Sequence, residues 1–320
     1  MKVIKSGWNN REFMVEYEKF IYDKLNFGEP DIQNCEKLLG RNFSFFIFQK
    51  EPFLIGDYPR NYMVLFDADD GSGIALDNCK LYDDTFTELM KEYNVEDYII
   101  FKMQYSSKSP HNDYYPYADK THPLGYFPYF PHHIEQFKQT VNQFQAPTID
   151  FLWMGTVNYE DNPPVWPEGL DKKHWQLGQR LEGYEMVMSL KESRPDLNIV
   201  VSSDRIPYFD YLNMVMQSKV CLELPGVGNF TTRFFENLQL GKCILGKELY
   251  LELPYEIKKG EHYIGVKDWT KLEDSMDWLM DNPKERFSIM KNVKKLQPKL
   301  SHQYAFDNMI ETINKHLTKL

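Results

Sequence analysis

Residues 219–246 read KVCLELPGVGNFTTRFFENLQLGKCILG. Lys219–Leu224 alternates: Val220, Leu222 and Leu224 face one way, Cys221 and Glu223 the other, the period of a strand. Pro225 ends it. Gly226 and Gly228 follow, with no Cβ to keep a ligand from the backbone. Thr231 or Thr232 then caps a helix whose buried side carries Phe234, Phe235 and Leu238. Gly241 stops that helix, and Lys242–Leu245 opens another strand. Strand, glycine loop, helix and strand in this order predict an α/β unit.

A glycine loop that opens into a helix N-terminus suits an anion, because free N–H groups and the helix dipole both favour phosphate. Arg233 falls in the first turn and adds a planar fork of donors. Glu236 lies three residues on and shares that face. A carboxylate there cannot serve phosphate, but it can accept from the vicinal hydroxyls of a ribose. The pair suits a nucleoside diphosphate. Gly226, Gly228, Asn229, Thr232, Arg233 and Glu236 form the expected donor site, joined by Gly155 and Thr156 after an earlier strand. A plain Arg–Glu surface pair at helical spacing is the alternative.

The chain has 320 residues, enough for two domains. Its 42% hydrophobic and 26% charged residues describe a globular protein. A net charge of −10 argues against a broad nucleic-acid-binding surface, though not against a small basic pocket. The cysteines (Cys35, Cys79, Cys221, Cys243) have no metal-ligand spacing; Cys221 and Cys243 fall in expected strands and read as buried thiols, which suits a reducing compartment. MKVIKSGW has no apolar core of a leader, and no stretch approaches the ~18 apolar residues of a membrane span, so a cytoplasmic setting is expected.

Along the chain, Met1–Gly7 reads as a first strand, and Arg11–Leu25 as a helix through Phe13, Tyr17, Phe20, Ile21 and Leu25. Phe43–Gln49, Tyr62–Phe66 and Asp97–Met103 are apolar runs expected of strands buried on both faces of a parallel sheet. In such sheets ligands sit beyond the carboxyl ends of the strands. Asp67, Asp69 and Asp70, with Lys102 and Gln104, fall at such ends. Residues 105–133 are rich in Pro, Tyr and His without a period and read as a long loop. Pro147 marks a linker into a second unit, with strands over Phe151–Met154 and Asn198–Ser202. Helices are expected over Trp175–Lys191, Tyr208–Ser218, Trp269–Met280 and Pro283–Leu296, and a last one over 301–320.

The second half resembles GT-B glycosyltransferases in its order of strand and glycine, helix with arginine, strand and turn, then glycine loop and R-x-x-E helix. The nearest patterns are phage DNA β-glucosyltransferases and exostosin-like and spore-coat-maturation glycosyltransferases. In the phage enzymes a G-Q-R, an I-P turn and an R-x-x-E contact UDP; they match Gly178-Gln179-Arg180, Arg205-Ile206-Pro207 and Arg233-Phe234-Phe235-Glu236 here. The resemblance implies an α/β fold of two Rossmann-like parallel-sheet domains facing a central cleft. It implies that Arg180 and Arg233 hold the diphosphate, that the Ile206 backbone meets the base, and that Glu236 takes the ribose. The domains are expected at 1–148 and 149–300, with 301–320 returning to the first. Many retaining GT-B enzymes carry two glutamates with seven residues between them; the matching position before Glu236 is Gly228, which leans towards inversion.

An inverting transfer needs a base for the acceptor hydroxyl and stabilisation of the departing diphosphate. Asp67 is first in line as base, with Asp69 and Asp70 as alternates; a polar turn is the bland reading. No cofactor is required beyond the donor, expected to be UDP-linked. The Asp67-Ala68-Asp69 spacing also resembles the D-x-D that binds a nucleotide-sugar through a divalent cation, a rival that leaves Arg233 and Glu236 unexplained. His122, His132 and His133 show no ligand spacing. Glycan, lipid or small-molecule acceptors are favoured over DNA, with a hydroxymethylated base as runner-up. A non-catalytic nucleotide- or sugar-binding module is the reading from another class.

Overall fold

The computed structural model describes residues 2–6, 31–35, 43–50, 60–67, 87–103, 105, 118–124, 131–140, 146–157, 176–226, 231–249 and 252–317. The chain divides into two compact units. The first comprises Met1–Gly125, Leu251–Pro254 and His302–Leu320; the second comprises Tyr126–Tyr250 and Tyr255–Ser301.

The first unit is built on a six-stranded sheet of order β2-β1-β3-β4-β5-β6. Its strands are β1 (Lys2–Ser6), β2 (Asp31–Cys35), β3 (Phe43–Lys50), β4 (Arg60–Asp67), β5 (Val95–Lys102) and β6 (Thr121–Pro123). Tyr62–Phe66 is buried without a break, as a strand covered on both faces must be. β4, β5 and β6 run parallel, but β3 is antiparallel to both β1 and β4. The all-parallel expectation therefore holds for every described strand pair of this sheet except those of β3. Residues 51–59 are the reason: that span is shorter than the dozen or so residues a parallel crossover needs. β2 and β6 escaped the pattern because both are edge strands. DIQNC has no apolar alternation, and Pro123 is tolerated where no partner needs its N–H. The stretch read as a loop over 105–133 thus contains β6 and the first turn of a helix.

The helix His302–Leu317 belongs to this unit. Ala305, Phe306, Met309 and Ile313 are buried at helical spacing. One turn further, His316 Nε2 lies 3.0 Å from Asp97 Oδ2, and its ring sits 5.6 Å from that of Tyr62. Lys120 pairs with the other oxygen of Asp97 at 2.5 Å. Hydrogen bonds and charge from Lys120, Tyr98 and His316 outweigh burial and hold the Asp97 carboxyl below its usual range.

The second unit has a five-stranded sheet of order β11-β10-β9-β7-β8, parallel throughout. The strands are β7 (Ile149–Met154), β8 (Ile199–Ser202), β9 (Ser218–Glu223), β10 (Cys243–Lys247) and β11 (Ile264–Val266). Around them lie α1 (Pro131–Thr140), α2 (Gln176–Ser193), α3 (Tyr208–Gln217), α4 (Thr232–Gln239), α5 (Leu272–Asp281) and α6 (Pro283–Leu296). α1 buries Ile134 and Phe137 against Leu212 of α3, so the second unit opens ahead of the break read after 148. α4 ends as its glycine predicts: Gly241 takes φ +69°, and its N–H reaches Leu238 O at 2.9 Å.

Gly246 shows how tightly β9 and β10 meet. A Cβ there would stand 2.4 Å from the Glu223 carbonyl oxygen and 2.8 Å from the Glu223 Cβ. Backbone cannot swing aside as a side-chain tip can. Gly246→Ala is expected to destabilise the protein by about 1–3 kcal/mol, read as a fall of several degrees in the thermal midpoint. An unchanged midpoint would show that the strands can separate at no cost.

Candidate active site

The strand order positions the site. From β7 the chain passes to β8 on one side, then crosses to β9 on the other. Connections leaving the carboxyl ends of β7 and β9 diverge there, and in open α/β sheets that crevice is where ligands bind. Gly155 and Thr156 follow β7; Leu224, Pro225 and Gly226 follow β9; α4 opens just beyond.

Arg233 is the central group. Its guanidinium lies where a side chain on Gly155 would be: a Cβ there would meet Cζ and Nη1 at 2.8 Å. The guanidinium carbon is 5.7 Å from the centre of the Trp153 ring, within cation–π range. Nε and Nη2 are buried with no hydrogen-bond partner among the described residues, and Trp153 Nε1 is likewise unpartnered. Buried donors left open carry a desolvation cost that an incoming acceptor removes.

Glu223 closes the other side. Its Oε1 accepts from the Thr231 N–H at 3.0 Å and from the Thr231 hydroxyl at 2.7 Å, while Oε2 has no partner among the described residues. Burial pushes its carboxyl up, opposed by the positive charge of Arg233 and the Thr231 bonds. This explains a departure at the cap. Thr231 holds the N-cap position, but its hydroxyl serves Glu223 and caps nothing in α4. The first N–H groups of that helix gain no side-chain cap, which is the condition for an anion to take them.

Glu236, one turn along α4, is 4% exposed. Tyr208 donates its hydroxyl to Oε1 at 3.0 Å. Burial pushes the Glu236 carboxyl up to about 7, against the Tyr208 bond and the Arg233 charge. Ile206 packs half-buried against the cluster of Ile149, Leu152 and Cys221.

Arg180 is buried and donates Nε to the Pro225 carbonyl and Nη1 to the Thr156 carbonyl at 3.0 Å. It ties the segments after β7 and β9 together, so these two bonds fix the crevice walls. The structure therefore gathers Gly155, Thr156, Arg180, Gly226, Thr232, Arg233 and Glu236 at one end of one sheet. Gly228 and Asn229 lie outside the described residues. Asp67 ends β4 in the first unit, in register with Lys102 of β5, and its side chain is outside the described residues, as are Asp69, Asp70 and Gln104.

Sequence reasoning missed Glu223, Trp153 and Tyr208. Glu223 had a signal: a lone carboxylate at the carboxyl end of the apolar run V-C-L-E-L. Trp153 and Tyr208 had none beyond their types. Of the histidines, His122 lies in β6 beside the Phe101 ring, and His133 packs edge-on to Tyr208 and Phe209. Among the described residues no three His, Cys, Asp or Glu side chains come together as a metal site.

No family model matches the chain, and no curated protein sequence matches it. Solved structures with a similar arrangement include sucrose-phosphate synthase from Thermosynechococcus elongatus, at 12% identity and TM-score 0.41. That match covers 79% of this chain and 68% of the synthase. The pneumococcal O-GlcNAc transferase GtfA, solved with UDP and GlcNAc, matches at 12% identity and TM-score 0.38, over 84% of this chain and 51% of its own. This chain thus spans about half the length of GtfA. Likeness of this degree bears on neither donor nor acceptor.

Proposed function

We propose that this protein is a glycosyltransferase that moves a sugar from a nucleoside-diphosphate sugar, UDP-linked, to an acceptor hydroxyl. The observation that supports it most is the buried, unpartnered fork of Arg233 against Gly155, at the crevice where the sheet's strand order reverses. In this reading the fork and the open N-terminus of α4 take the diphosphate. Glu236, oriented by Tyr208, accepts from the ribose hydroxyls. Displacement is single, with inversion and without a metal. The acceptor oxygen bonds to the anomeric carbon, the bond to the diphosphate breaks, and a carboxylate takes the acceptor proton. Asp67 is our candidate for that base, with Asp69 and Asp70 behind it. With a net charge of −10, the acceptor is a glycan, lipid or small molecule rather than duplex DNA.

Thermal unfolding with UDP, UMP and uridine tests the donor site. UDP at a hundred times its Kd should stabilise by about 2.7 kcal/mol, and uridine far less. Equal shifts from uridine and UDP, or none from any nucleoside diphosphate, would remove the diphosphate reading. Transfer assays on the UDP-sugar that binds then separate an enzyme from a binding module.

Glu236 carries a pH signature. Its folded value near 7 lies above the unfolded carboxyl value of 4.5, so the folded state holds more protons between the two. Stability from this group is full below the unfolded value and is lost as pH rises towards 7. The difference is about 3 kcal/mol, and Glu236→Gln should flatten that slope in denaturant unfolding run from pH 4 to 8. An unchanged slope would place the titration elsewhere.

A further inference from the structure

A second surface of the same unit gathers exposed lysines around an exposed aromatic ring. On α6 the buried side is Arg286, Ile289, Val293 and Leu296. The outer side presents Lys284, Phe287, Lys291, Lys294 and Lys295, all exposed and within one arc of the helix. Phe287 is 63% exposed in the middle of them. Among the described residues no carboxylate pairs with Lys284, Lys291 or Lys294, while Lys295 reaches only the Asn292 amide oxygen at 3.2 Å. Lys291 and Lys294 also rim a recess of about 380 Å³ whose floor includes Phe137, Met216 and Leu240. The third lysine of that rim, Lys138, is already bonded to Glu135 at 2.7 Å and to Gln239 at 3.3 Å.

We propose that the outer face of α6 and this recess dock the protein on an anionic phospholipid surface. Lipid phosphates meet the lysines, and the Phe287 ring enters the boundary between headgroups and acyl chains. Charge complementarity argues for it. A chain of net charge −10 is repelled overall by such a surface, so binding needs a local concentration of lysines without carboxylate partners, which the outer face of α6 supplies. The aromatic ring and the apolar lining of the recess favour lipid over duplex DNA, whose bases are stacked inside and whose phosphodiester backbone has no use for either. No helix of the described residues is long and apolar enough to cross a membrane. The inference is independent of the nucleotide site and stands or falls separately from it.

Co-sedimentation with vesicles of equimolar phosphatidylglycerol and phosphatidylcholine tests it, with pure phosphatidylcholine vesicles and a duplex DNA oligonucleotide as the other arms. The protein should pellet with the anionic vesicles, fall off as salt rises, and ignore pure phosphatidylcholine. Lys291→Glu with Lys294→Glu should lower the apparent affinity by more than about twentyfold, at roughly fivefold for each lysine lost before the added repulsion. Phe287→Ser should lower it several-fold at a salt concentration that screens the lysines. Both variants change only exposed groups, and an unaltered thermal midpoint will show that they fold. Failure of the wild type to pellet, vesicle binding unchanged in the charge-reversed variant, or lysine-dependent binding to DNA but not to vesicles would each overturn the proposal.

Discussion

Arg233→Ala should weaken binding of UDP by about 1.5–3 kcal/mol, roughly ten- to a hundredfold in Kd, while leaving the empty protein nearly as stable as before. A structural arginine satisfies buried acceptors, and its removal costs stability. Arg233 instead has Nε and Nη2 buried without partners, so its loss strands no hydrogen bond of theirs. Glu223 and Glu236 lose a neighbouring positive charge, but burial already raises both carboxyls, and they can take a proton in its place. Arg233→Lys keeps charge without the fork and should fall between wild type and alanine. Gly155→Ala offers a second handle. Its Cβ would meet the guanidinium at 2.8 Å, and that group is the far end of a flexible side chain. The guanidinium shifts, affinity drops, and the thermal midpoint hardly moves. Titration calorimetry with UDP, paired with unfolding of the empty protein, reads both quantities. An alanine variant that loses stability but binds UDP as well as wild type would make Arg233 structural.

The parts of this architecture that were legible in the sequence share one feature: their signal is local. From Phe151 onward each strand and helix shows its period, its Gly or its Pro within a few residues. The elements Ile149–Met154 through Pro283–Leu296 fall close to where the pattern puts them. The direction of β3 was not legible in that way, because nothing in FSFFIFQ distinguishes parallel from antiparallel; only the short span to β4 does. The site divides similarly. Gly226, Arg233 and Glu236 follow one another along a loop and a helix, so spacing alone groups them. Gly155, Arg180, Tyr208 and Glu223 come together through strand order. That the space above Gly155 is filled by Arg233 is a fact of three dimensions, as is the capture of the Thr231 hydroxyl by Glu223.

Asp67→Asn is expected to leave UDP affinity unchanged and to lower sugar transfer by about 10²–10⁴-fold, the range for a general base lost. The position argues for it. β4, β5 and β6 run parallel, so their carboxyl ends, at Asp67, Lys102 and Pro123, lie along one edge of the first sheet. Ligands of such strands sit beyond that edge. Asp67 is the last residue of a strand whose five preceding residues, Tyr62–Phe66, are buried, so the chain turns polar at the strand's final position. Its backbone is fixed by register with Phe43 on one side and Lys102 on the other, which suits a group that must hold a proton acceptor steady. Asparagine keeps the shape and removes the basicity, so binding and chemistry separate cleanly. The same change at Asp69 and Asp70 is the control. If Asp67→Asn stays active while Asp69→Asn or Asp70→Asn is inactive, the base lies two or three residues further along. If all three variants transfer sugar at the wild-type rate, the aspartates form only a turn. Activity lost in Asp67→Asn but restored by excess Mn²⁺ would assign the carboxylates to a divalent cation and the transfer to the metal-dependent class.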